Sequence, residues 1–136
     1  MNQKLKKAAA TVELALLLPV LLLLTFGIAG YGLLFLRAHQ ITNVARHGAR
    51  LAIRPDATSA EVMTSVDSCL QAYGLGTYNL SISPPDISSL TVGEQLNVRI
   101  VVLTADIPAA CLLNMPFLPC PDELAASVTM AKEGPY

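Results

Sequence analysis

A chain of 136 residues has room for one compact domain and one accessory element, because a domain consumes roughly 100 to 150 residues; two independent enzymatic domains are excluded. Its residues are 53% hydrophobic and only 14% charged, against about 25% charged in ordinary soluble domains, so apolar content must be concentrated somewhere. The net charge of -1 excludes the broad positive field with which a nucleic-acid binder neutralises phosphates, and no nucleic acid is expected as a partner.

The concentration lies at the front. Leu14 to Leu36 reads LALLLPVLLLLTFGIAGYGLLFL, without an acidic or basic side chain. At about 1.5 Å per residue, a helix of this run is long enough to cross a hydrocarbon layer about 30 Å thick. Lys4, Lys6 and Lys7 flank it on one side and favour a cytoplasmic N-terminus, but Arg37, Arg46, Arg50 and Arg54 follow on the other, so charge alone nearly balances. A cleaved secretory signal is the competing reading; the run continues past Gly27, Ala29 and Gly30 to Leu36, longer than the usual signal core of about 7 to 15 residues. Glu13 stands at the edge of the run, where a carboxylate resists burial unless it is paired or protonated. Either water at the headgroup level solvates it, or it pairs with a positive group on a neighbouring chain. Pro19 removes a backbone donor inside the helix, and Thr25, Gly27, Gly30 and Gly32 form a small-residue patch that another helix can approach closely.

Beyond Leu36, Ile41, Val44, Gly48, Leu51 and Ala52 recur near a helical period while Arg46 and Arg50 share another face, so the helix is expected to run on to Arg54, where Pro55 stops it. Thr58 and Glu61 have capping-box spacing ahead of a second helix whose stripe is Val62, Val66, Cys69, Leu70 and Tyr73, with Gly74 as its stop. Tyr78, Leu80 and Ile82 alternate with polar residues as a short strand. After a turn at Val92-Gly93-Glu94, Leu96, Val98, Ile100 and Val102 mark the inner face of a central strand. Leu124, Ala126, Val128 and Met130 mark a last strand able to pair with it. Cys111 and Cys120 flank the proline-bearing loop between those two strands, which makes them the expected disulfide, with Cys69 the thiol left over; sequence alone does not fix the pairing.

Chemistry-bearing constellations are sparse. His39 and His47 have no acidic or cysteine ligand at a recognisable spacing, Ser59, Ser65 and Ser68 have no base at a motif spacing, and no phosphate loop or nucleotide fingerprint occurs. No catalytic residue, metal or cofactor is expected.

Three features in order do carry a resemblance: a basic leader ending in AAATVELALLLP, a leucine-rich run closing in TFGI, and QITNVARHGARLA after it. Over roughly its first 52 residues the chain resembles the TadE-like family, minor pseudopilins of the tight-adherence (Flp-type) pilus and secretion systems. The resemblance implies processing between Ala8 and Ala9, with alanine where the family often has glycine, and an assembly role for Glu13. Asn43, Arg46, Gly48 and Arg50 occupy the family's post-membrane motif. It further implies, as partners, other pilins or pseudopilins, an inner-membrane assembly platform, a prepilin peptidase and the lipid bilayer. The cytoplasmic side holds the leader, and the C-terminal domain faces the periplasm or exterior.

The fold expected is α+β: a long N-terminal transmembrane helix, a second short helix and an antiparallel sheet of about three strands. The divisions expected are a leader over residues 1–8, the helix and its extension over 9–54, and a domain over 55–136. Function is read as a structural or assembly subunit of such an apparatus. The alternatives are a signal-anchored envelope protein with an unrelated binding domain and, further off, a membrane-tethered hydrolase.

Overall fold

The computed structural model describes residues 2–107 and 120–134. Two helices lead: α1, Asn2–Ala52, and α2, Ser59–Ala72. The strands β1, Asn79–Ser83, β2, Gln95–Leu103, and β3, Glu123–Ala131, follow, with a single 3-10 turn at Thr104–Asp106 after β2. The class is α+β, with α1 packed on one face of the sheet and α2 packed against α1.

α1 is one helix of 51 residues that includes Pro19. Its run of Leu and Ala keeps helix propensity high, and its end is marked by Ile53 and Arg54 closing back on Ala49 and Leu51 just before Pro55. From Leu34 onward α1 has an inside. Leu34, Ile41, Val44, Ala45, Gly48, Ala49 and Ala52 are buried, at the three- and four-residue steps of one helical stripe. The helix extension is therefore a wall of the domain's core.

Small side chains on that stripe let α2 come close. A Cβ placed on Gly48 would lie 2.7 Å from Val66 Cγ2, 3.7 Å from Val98 Cγ1 and 3.8 Å from Val62 Cγ1. Glycine at this position is thus a packing requirement. α2 starts where the Thr58 side chain accepts from the Glu61 amide, and it buries Val62, Val66 and Leu70. It stops in a full Schellman motif: Gly74 at φ +72°, its amide on the Gln71 carbonyl, and the Leu75 amide on the Leu70 carbonyl. Leu75 and Leu70 are both buried, supplying the apolar contact this cap favours.

β2 is the central strand, antiparallel to β1 on one side and β3 on the other. Leu96, Val98, Ile100 and Val102 are all fully buried against the helices; each such side chain contributes about 1.5–3 kcal/mol. The opposite face is wet, with the Asn97 amide donating to Ser127 Oγ at 2.8 Å and Thr129 Oγ1 at 2.9 Å. Gly93, at φ +90°, makes the turn into β2. β1 starts at Asn79, one residue later than its alternation suggests, and the Tyr78 side chain turns instead to α2, where its hydroxyl donates to Asp67.

That bond raises the Tyr78 pKa to about 12, because the neutral phenol is the donor and the carboxylate beside it opposes phenolate. A folded-state value above the ordinary 10.0 means that this contribution is complete below pH 10 and lost as pH rises toward 12. Tyr78→Phe should cost about 1 kcal/mol at pH 8 and flatten the stability profile above pH 10, measured by denaturant unfolding at stepped pH.

Candidate functional site

Where the chain meets its surroundings is set by α1. Positions 10 to 26 are exposed throughout, with Leu16 72%, Val20 64% and Phe26 49% accessible. Water does not support so large an apolar surface, so lipid or another apolar helix must cover it. Among the described residues there is one helix long and apolar enough to cross a membrane, Ala10–Ala52. The Thr25 hydroxyl is satisfied within it, donating to the Leu21 carbonyl at 2.7 Å.

The sequence-derived positions fall along this helix as follows. Ala8 is exposed, and the Ala8–Ala9 bond lies inside continuous helix. Glu13 is exposed at the start of the apolar run, and Pro19 is accommodated without ending the helix. Gly27 and Gly30 are half-buried and Gly32 is exposed; a Cβ on Gly30 or Gly32 would meet nothing within 4 Å. These two glycines each cost about 1 kcal/mol of helix propensity, and the chain's own fold gives no reason for them. Gly27 and Gly32, with Leu24, Ile28, Tyr31 and Phe35, border a shallow apolar groove on the helix surface.

Hydrogen bonds fix which end of the domain lies nearest the apolar run. Arg37 donates to Gln40 Oε1 at 3.0 Å and to the Tyr73 carbonyl at 2.7 Å, tying the start of the helix extension to the end of α2. At the other end, the Glu133 amide donates to the Ile53 carbonyl, Ser59 Oγ to the Pro85 carbonyl, and Lys132 Nζ to the Ile87 carbonyl at 3.4 Å. Following the chain between these ties, β1 climbs away from the apolar run, β2 returns toward it and β3 climbs again. The 3-10 turn, joined to β3 by the Thr104 amide on the Asp122 carbonyl, therefore sits at the end nearest the apolar run.

The post-membrane motif divides between two faces. Gly48 is buried against α2, whereas Asn43, Arg46 and Arg50 are exposed on the side of α1 away from the core. Sequence periodicity separates these faces but does not reveal that the inner one is held by α2. Cys120 is disulfide-bonded and Cys69 is a free, half-buried thiol; Cys111 lies outside the described residues.

One pairing escapes sequence reasoning. Ser65 Oγ on α2 lies 3.3 Å from His47 Nε2 on α1, eighteen positions apart in the chain and so invisible to motif spacing. What the pair does is tie the two helices. Among the described residues no group of three or more His, Cys, Asp or Glu side chains is placed to hold a metal ion.

Compared with known proteins, residues 8–50 match the model of a family described as TadE-like protein. The match runs from the exposed apolar stretch through the buried Gly48 and ends at Arg50. No curated protein matches the chain, and no solved structure matches it.

Proposed function

We propose that this chain, TadE-like over residues 8–50, is a minor pseudopilin-like structural or assembly subunit of a tight-adherence (Flp-type) pilus or secretion apparatus. It sits in a bacterial inner membrane through α1, with the N-terminus cytoplasmic and the domain in the periplasm or exterior. The observation that supports this reading most is the coincidence of the family match with the apolar, glycine-bearing stretch that the chain's own fold leaves uncovered. Other pilins or pseudopilins and an inner-membrane platform are its partners, and a prepilin peptidase is the enzyme that acts on it.

The mechanics follow from the core. Since Leu34 to Ala52 belong to the domain's packing, the domain and the spanning helix are one body, and displacement of the helix along its axis carries the domain with it. Cleavage between Ala8 and Ala9 places a new ammonium four residues before Glu13. In an assembly, the carboxylate of one chain then pairs with the amino terminus of its neighbour where water is scarce.

Glu13→Gln keeps shape and hydrogen bonding while removing the charge. Membrane abundance by fractionation should be unchanged, whereas crosslinking to other pilus components should fall roughly tenfold, the weight of one charge-assisted hydrogen bond. Unchanged crosslinking would leave Glu13 as an interfacial carboxylate. Lost abundance would assign it to insertion or stability.

A further inference from the structure

The outer side of α1 continues from lipid into water without a break. Ile28, Gly32, Phe35, His39, Arg46 and Arg50 fall within one narrow sector of the helix, separated by threes, fours and sevens. Ile28 is 66% and Phe35 67% exposed, and His39, Arg46 and Arg50 are exposed as well. The domain packs on the other side. Among the described residues neither the Arg46 nor the Arg50 side chain has a hydrogen-bond or ion-pair partner.

We propose that this sector is a docking seam for another single-span protein, one whose apolar helix fills the Gly32 groove and whose extension beyond the membrane is acidic. The proposal rests on the membrane-anchoring part of the function given above. Charge selects the occupant. A second copy of this chain has its apolar run at the same depth, so a parallel contact along the seam would set Arg46 and Arg50 against their own counterparts. Lipid headgroups do not satisfy the stripe either. Arg50 lies thirteen residues beyond Arg37, about 20 Å along the axis, whereas the headgroup layer adds only about 5–7 Å to each side of the hydrocarbon. An acidic face on a neighbouring helix meets both arginines at their own height.

A charge-reversed copy of the same chain serves as the acidic probe. Asn43→Cys is placed in the stripe of two tagged forms, one carrying the native arginines and one carrying Arg46→Glu and Arg50→Glu, both with Cys69→Ser. They are reconstituted together in phosphatidylcholine vesicles. Oxidative crosslinking should give mixed dimers at least about tenfold over same-charge dimers at low salt, with the preference shrinking in high salt. Basic copies that crosslink to one another as well as to reversed ones, or an absence of mixed dimers, would overturn the proposal. So would loss of the preference in vesicles containing anionic lipid, which would assign the arginines to headgroups. If the chain did not float with the vesicles at all, the anchoring reading itself would fail, and flotation is scored separately before oxidation.

Discussion

Replacing Gly48 by valine should destabilise the domain by about 3 kcal/mol and lower its abundance, while the neighbouring exposed change Arg50→Ala should do neither. The first methyl-sized atom at position 48 already falls 2.7 Å from Val66 Cγ2, closer than real Cβ contacts allow. Val66 cannot withdraw, because it is fully buried between α1 and α2, as are Val62 and Val98 on the other two contacts. The helices must then separate. Overpacking of this kind costs about 3 kcal/mol, against a total of about 5–15 kcal/mol for a small domain. Gly48→Ala should be milder, about 1 kcal/mol net, since the helix propensity gained offsets part of the strain. Denaturant unfolding in detergent measures both. Val66→Ala combined with Gly48→Ala should recover stability relative to either single change, a coupling expected only of groups in contact. Additive losses would show that Gly48 is tolerated for some other reason.

The second large effect is all or none. A reporter active only outside the cytoplasm, fused after Tyr136, should give signal, and one active only in the cytoplasm should be silent. The apolar run ending at Leu36 is the one candidate span among the described residues, and the domain's core begins at Leu34, so all three strands and α2 follow the helix to one side. A working cytoplasmic reporter would reverse the orientation.

Much of this architecture was legible in the sequence because local signals agreed with the final packing. The β2 alternation, the Thr58 cap, the Gly74 stop and the Gly93 turn are each encoded within a few residues, and each is present in the structure. What the sequence hides is long-range. Gly48 reads as one residue of a helical stripe, and only the approach of Val66 shows why nothing larger fits there. The 3-10 turn at Thr104–Asp106 has no periodic signature, because it is a single turn closing β2 against Asp122. Ser65 and His47 meet across two helices. For the long apolar segment the situation is reversed: Gly30 and Gly32 stand out in the sequence, and the structure adds that no intramolecular contact requires them.

The exposed helix and the domain it carries are proposed to serve a pilus apparatus. Surface filaments counted by electron microscopy in cells lacking this chain, with and without the chain restored from a plasmid, test this most directly. Loss of filaments on removal and their return with the native chain, but not with Glu13→Gln, is the result expected. Filament number unchanged by removal would contradict the account and leave the chain as an envelope protein anchored for another purpose.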